Sequence, residues 1–194
     1  MQLKRLFTTV GAKGRRNYLN TQKKYEVIRT ILYFAISISL FAAGYIQTGE
    51  KTNLLTIVAV LGCLPASKSA VSAIMYLRFV SCSEQSAAEI ESHSQGLQCL
   101  YDMVFTSYKK AFRVSHLAVR GNCVCGFSED VNFEENEFYR HIHPILKSDG
   151  HQGVTVKIFV NLAKYTERLE QMKTLEADED KTQAILGTLK SVAL

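Results

Sequence analysis

The 194-residue chain has no glycine-rich phosphate loop, no G-x-S-x-G elbow and no H-E-x-x-H run. Each of those motifs delivers its chemistry through fixed spacing: backbone N–H groups around a phosphate, a strained nucleophilic serine, two imidazoles one helical turn apart. Their absence removes three common routes to catalysis and lowers the expectation of an enzyme. Gly11 and Gly14 do not restore the first, because they stand among cations with no strand before them. Proline is scarce, with two residues, and there is no internal repeat or low-complexity tract. Repeat architectures are therefore excluded.

Cysteine is sparse and odd in number: Cys63, Cys82, Cys99, Cys123 and Cys125. No secreted disulfide framework fits such a set, so the thiols are expected to be reduced and cytosolic.

Charge is missing altogether from residues 30–49. At a rise of about 1.5 Å per residue, about 20 uncharged residues cover the roughly 30 Å hydrocarbon core of a bilayer. The surrounding sequence, VIRTILYFAISISLFAAGYIQ, is apolar almost throughout. After a polar connection from Thr48 to Asn53, a second apolar block runs from Leu54 to Phe79, interrupted by Pro65 and Lys68. Pro65 is tolerable in a membrane helix, where Ser67, Ser69 and Ser72 supply hydroxyls. With the turn near Glu50 and Lys51, Lys68 falls opposite Tyr33, about one turn from Arg29, where its ammonium can snorkel to water. Ala35, Ser39, Ala42 and Ala43 on the first helix, and Ala59, Gly62 and Ala66 on the second, are small enough for close packing. A hairpin with spans of about 28–47 and 54–79 is expected.

Eight cations precede the first span, Lys4, Arg5, Lys13, Arg15, Arg16, Lys23, Lys24 and Arg29; the turn has only Lys51, and Arg78 closes the second span. This bias places both termini in the cytoplasm, with the chain in the cell membrane. Lys4, Arg5, Lys13, Arg15, Arg16, Lys23, Lys24, Arg29, Lys68 and Arg78 form the expected membrane-surface set. Residues 1–26 read as a basic cytosolic arm, in which Leu3, Leu6, Phe7 and Val10 fit a short interfacial helix or a disordered topology signal. A secretory signal peptide fits less well, because the basic region is long and a second apolar block follows. The net charge of +5 is concentrated in this arm, so a nucleic-acid partner is not expected.

Residues 81–194 read as a cytosolic α+β domain. Ser81 with Glu84, and Ser86 with Glu89, have capping-box spacing. Ile90, Leu97, Tyr101, Val104, Tyr108 and Ala111 recur at helical steps, predicting one long helix. RVSHLAVR and CVCGF, separated by Gly121-Asn122, predict two hairpin strands. A helix from Asp130 to Lys147, kinked or ended by Pro144, precedes a third strand, VTVKIFV, at Val154–Val160. Asn161 caps a last helix pair. The expected fold class is α+β, a two-helix transmembrane hairpin followed by a small domain of order α-β-β-α-β-α-α.

Candidate chemistry is scattered. His141 and His143 are the candidate metal ligands, but on a helix they face apart and could share an ion only in extended backbone. Cys123 and Cys125 share one strand face with their thiols close together; zinc sites normally come as two such pairs, so buried structural cysteines are expected. Glu129 and Asp130 after a strand, Glu89 on the preceding helix, His116 on the first strand and Lys157 on the third resemble the general plan of metal-dependent restriction-type nucleases. Their acid two residues before the lysine is absent here, since Thr155 occupies that position. The resemblance implies a catalytic set of Glu129, Asp130, His116 and Lys157; helix capping and ordinary surface charge explain the same residues.

Three functions follow in order. The first is a membrane-anchored cytosolic binding or regulatory module, with lipid and a protein partner or a second copy as its contacts and no cofactor. The second is a membrane-tethered metal-dependent hydrolase, and the third a hairpin-oligomerising pore or membrane effector, with Lys68 in a polar path.

Overall fold

The computed structural model describes residues 13–176 and 178–194. The expectations for Lys4, Arg5 and the apolar residues between Leu3 and Val10 lie outside them. Among the described residues the protein is a mixed α+β chain of six helices and a four-stranded sheet, and it divides into two compact units.

The first unit, Leu19–Val80 among the described residues, holds α1 (Tyr18–Thr48) and α2 (Leu54–Leu77). Asn53 starts α2 by accepting the N–H of Thr56 at 2.9 Å, the standard cap for an orphaned helical donor. Pro65 lies inside α2 without ending it. The two helices approach through small residues: a Cβ added at Gly62 would lie 2.8 Å from Ser37 Oγ, and one at Gly44 would lie 2.8 Å from Leu55 Cβ. Ala59, Ala66, Ser69 and Ala73 are buried. Arg29 Nε donates to Ser69 Oγ at 3.2 Å, while Arg29 also pairs with Glu26. Ser69 is therefore level with Arg29, which sets the exposed Lys68 beside the basic end of α1. Both helices are long and apolar enough to cross a membrane.

The second unit, residues 13–18 and Ser81–Leu194, carries the sheet. Its elements are α3 (Glu84–His93), β1 (Gln98–Thr106), β2 (Ala111–Arg120), β3 (Cys123–Phe127), α4 (Glu135–Ser148), β4 (Thr155–Phe159), α5 (Leu162–Lys173) and α6 (Glu179–Val192). Strand order is β1-β2-β3-β4, antiparallel up to β3 and parallel between β3 and β4. The Gly121-Asn122 turn joins Arg120 to its ladder partner Cys123, with Gly121 at φ +54°, as expected of a two-residue hairpin.

Both sheet faces are covered. On one, Leu100, Met103, Phe112, Val114, Val124 and Ile158 pack with Phe138, Ile142 and Leu146 of α4 and Ile185 and Leu189 of α6. On the other, Ala118, Cys125 and Phe127 pack with Ile90 of α3 and Tyr165, Leu169 and Met172 of α5. Gly126 is required for this closeness, since a Cβ there would stand 2.6 Å from Ile158 Cδ1. The outer edge of β1 is occupied: Tyr101 N–H donates to Gly14 O at 2.9 Å, and Leu194 N–H to Val104 O at 2.8 Å.

The structure corrects the expected long helix. α3 ends at His93, and Leu97, Tyr101 and Val104 lie before or within a fourth strand, β1, so the sheet has four strands and not three. A strand buried on both faces shows no alternation of apolar and polar residues, and its apolar positions can fall by chance at helical steps. The capping residue also shifts: Ser83 is the N-cap of α3 and accepts the N–H of Ser86 at 3.3 Å. Pro144 neither ends α4 nor takes its residues into extended backbone, since the helix runs to Ser148. Asn161 does cap α5, accepting the Lys164 N–H at 3.1 Å.

Phe138 stands in edge contact with Phe105 and Phe112, at ring-centroid distances of 5.4 and 5.5 Å. Phe138→Ala is expected to destabilise the domain by about 3–5 kcal/mol, read as a lower denaturation midpoint of the detergent-solubilised full chain by tryptophan-independent near-UV or far-UV signals.

Candidate functional site: a cationic groove floored by paired thiols

β3 presents alternate residues to the two helical layers. Val124 enters the α4/α6 core, whereas Cys123 and Cys125 face α5. Their sulfurs are 3.8 Å apart. Cys125 is buried and Cys123 half-buried, because β4 is the edge strand and the α5 layer does not close over it.

The gap is a groove of about 510 Å³. Its floor is the thiol pair; one wall is Thr155, Lys157 and Phe159 of β4, the other Lys164, Glu167, Arg168 and Gln171 of α5. The parallel register sets Lys157 beside Cys125 and Thr155 beside Cys123. Lys157 Nζ lies 5.2 Å from the Phe159 ring centroid, a cation–π distance. Arg168 reaches Cys123 Sγ at 3.7 Å and Gln171 Oε1 at 3.0 Å. Three cations thus face the groove against one carboxylate, Glu167.

The thiol environments diverge. The hydrogen bond from Cys125, reinforced by Arg168, pulls the Cys123 thiol below its ordinary range. Cys125 is pushed up, because it donates to Cys123 and is desolvated. Burial drives Cys82 and Cys99 up to about 12, so those two stay protonated near neutrality. Cys123, with Arg168 beside it, is therefore the readier of the two to become a thiolate.

The four residues of the expected catalytic set are dispersed. Lys157 belongs to the groove. Glu129 accepts the Ser83 N–H at 3.1 Å and approaches Arg113 at 3.8 Å, helping to fix the start of α3 together with Asp102, which accepts the Cys82 N–H at 2.8 Å. Asp130 accepts the Asn132 N–H at 3.0 Å, a local Asx turn. Glu89 is an exposed residue of α3.

His116 sits on β2, fully buried, with Nδ1 2.6 Å from the Tyr165 hydroxyl. Tyr101 lies edge-on to its ring, 4.4 Å between centroids. The β1 and β2 residues of the α4/α6 cluster change phase at this point, from Leu100 to Met103 and from Val114 to Leu117, where Asp102 has φ +55°. Burial pushes the imidazole down to about 3.

His141 and His143 lie on one continuous helix and separate: His141 stacks on Phe112 at 6.2 Å and His143 contacts Tyr139 at 4.9 Å. Among the described residues, no three His, Cys, Asp or Glu side chains gather around a common metal position. Of the expected membrane-surface cations, Arg16 pairs with Glu84 and Glu91 at 2.6 and 2.9 Å, and Lys13 donates to Ala193 O at 2.6 Å. Arg15, Lys24, Lys68 and Arg78 are exposed, and Lys23 and Arg29 half-buried. Sequence reasoning placed the thiols together but missed Lys164 and Arg168; their i,i+4 spacing on the helix after the Lys157 strand was the available signal.

No known protein family, curated protein or solved structure matches the chain.

Because His116 is neutral in the folded domain down to about pH 3 but takes a proton near 6.5 when unfolded, the unfolded state binds more protons between those values, and stability falls as the pH drops through that window. The slope attributable to this group approaches about 1.4 kcal/mol per pH unit. Denaturation of the full-length chain at several acidic pH values should show a steeper loss for the wild type than for His116→Leu. Parallel slopes would mean that the imidazole is already charged in the folded domain.

Proposed function

We propose that this chain is a membrane-anchored binding module: α1 and α2 hold it in a bilayer as a two-pass hairpin, and the α+β domain offers its groove to an anionic ligand in the cytosol. One observation carries the anchor. Ile31, Ile46, Leu54 and Leu64 are 63%, 82%, 77% and 69% exposed, and only 11% and 17% of the most apolar stretches of the two helices are buried. A core helix of a soluble domain buries such residues; contiguous exposure on this scale needs lipid or another apolar partner. The α+β domain already has a core on each side of its sheet, so it does not require the hairpin as filler.

Orientation is supported by the arrangement of the hairpin. Lys23, Lys24 and Arg29 belong to the same end as Ser69 and Lys68, while Glu50 and Lys51 sit in the distant turn. The basic end favours the anionic cytosolic leaflet, each cation contributing on the order of 1 kcal/mol near its surface. Both termini then emerge into the cytoplasm, where reduced thiols persist. In the groove, Lys157, Lys164 and Arg168 raise the local concentration of anions.

Two measurements check this. Membranes from producing cells, washed with alkaline carbonate, should retain the chain, and a Glu50→Cys variant should react with an impermeant maleimide added outside intact cells; release into the wash, or no labelling of that turn, contradicts the anchor. For the groove, Cys123 should react with anionic iodoacetate relative to neutral iodoacetamide at a ratio several-fold above that of a cysteine peptide, and high salt should abolish the excess. An unchanged ratio removes the anionic ligand.

A further inference from the structure

The groove holds two thiols where a binding site for an anion needs none. They lie on one strand face, two residues apart, with sulfurs at 3.8 Å. Two residues along a strand span roughly 6.6 Å, inside the Cα separations that a disulfide bridges, about 4.4–6.8 Å. Rotation about the side-chain bonds narrows the gap between the sulfurs, and β3 bends locally at Val124 to draw the two Cβ atoms together as the bond closes. The two are also unequal in access: Cys123 is half-buried at the groove and beside Arg168, and Cys125 is buried beneath it. An incoming electrophile meets Cys123 first.

From this juxtaposition we infer that the groove is a thiol–disulfide exchange site for an anionic low-molecular-weight disulfide, with Cys123 as the attacking thiol and Cys125 as the resolving one. The inference rests on the anionic-groove reading above and not on the membrane anchor.

Cys123 Sγ, as thiolate, attacks one sulfur of RS–SR; the Cys123–SR bond forms, the RS–SR bond breaks, and RS⁻ leaves and takes a proton from solvent. Cys125 then loses its proton to solvent and its Sγ attacks Cys123 Sγ. The second RS⁻ departs as the Cys123–Cys125 bridge closes. The small disulfide gains two electrons and two protons and emerges as two thiols, while the protein dithiol loses the same. A reducing dithiol restores the pair by the reverse exchange. Lys157, Lys164 and Arg168 hold the carboxylates of R, and Arg168 also stabilises the thiolate. Cys82 and Cys99, away from these cations and held protonated, take no part.

Trypsin releases both thiols on one peptide, Gly121–Arg140, which contains no other cysteine. The full-length reduced protein in detergent is treated with oxidised glutathione, which is anionic, or with cystamine, which is cationic, then quenched with acid and alkylated. Glutathione should leave this peptide two hydrogens lighter and unalkylated, at a rate at least ten-fold above cystamine once each is normalised to a cysteine peptide. Cys125→Ser should accumulate the glutathione adduct on Cys123, and Cys123→Ser should leave the peptide unbridged. Lys157→Glu with Lys164→Glu should erase the preference between reagents without abolishing the bridge.

Three results overturn the inference, and they separate its parts. A bridge formed equally fast from both reagents removes the anionic substrate and, with it, the groove reading. No bridge from either reagent, with the iodoacetate preference intact, removes the exchange chemistry and leaves anion binding standing. An adduct that stays on Cys123 in the unsubstituted protein removes Cys125 as resolving thiol.

Discussion

Burial of the sheet on both faces is the constraint from which the domain's other features follow. β3 is the strand that enforces it, pairing with β2 on one side and β4 on the other, and sending Val124 into one helical layer and Cys125 and Phe127 into the other. With the backbone of a central strand fully paired and both faces covered, every side chain on it has to be apolar, small or hydrogen-bonded. Thiols meet that demand, since a protonated cysteine behaves as a small hydrophobe. Only where β4 forms the edge does the α5 layer fail to close, and there the same strand that builds the core brings Cys123 to the groove with Cys125 buried beneath it.

Polar groups inside the α3/α5 layer divide into those that are used up and those that are left open. Asp102 and Glu129 accept the backbone N–H groups of Cys82 and Ser83 at the start of α3, so their charge stabilises a helix entrance that would otherwise carry orphaned donors. His116 is neutral and hydrogen-bonded to Tyr165. The carboxylates on this side of the sheet are thereby committed to structure, while Lys157, Lys164 and Arg168 remain at the groove with Glu167 alone opposing them. A cationic surface arises from this unequal accounting of charge, without any cluster of basic residues visible along the chain.

The hairpin unit packs by a different rule. Small residues at Gly44, Ala59, Gly62 and Ala66 let the helices approach, and the large apolar residues point outward, the reverse of a soluble core. Arg29, Glu26, Thr30 and Ser69 bond to one another at one end.

The length and apolarity of the two N-terminal helices, the Gly121-Asn122 hairpin, the Asn161 cap and the shared face of Cys123 and Cys125 were legible from residues alone, because each depends on local spacing: a run without charge, a turn that needs positive φ, a side chain that caps its own helix, a period of two. β1 was not legible. Its residues are buried by α3 and α5 on one side and α4 and α6 on the other, and a strand with two apolar faces has no alternation to read. The groove was equally hidden, since Lys157, Lys164 and Arg168 come to the thiols only through the parallel pairing of β3 with β4 and the packing of α5 over both. Local pattern determines which element a segment forms and which side of it is apolar; the partner of that side, and whether a cysteine ends in a core or at the mouth of a groove, is decided by long-range packing that no short window contains.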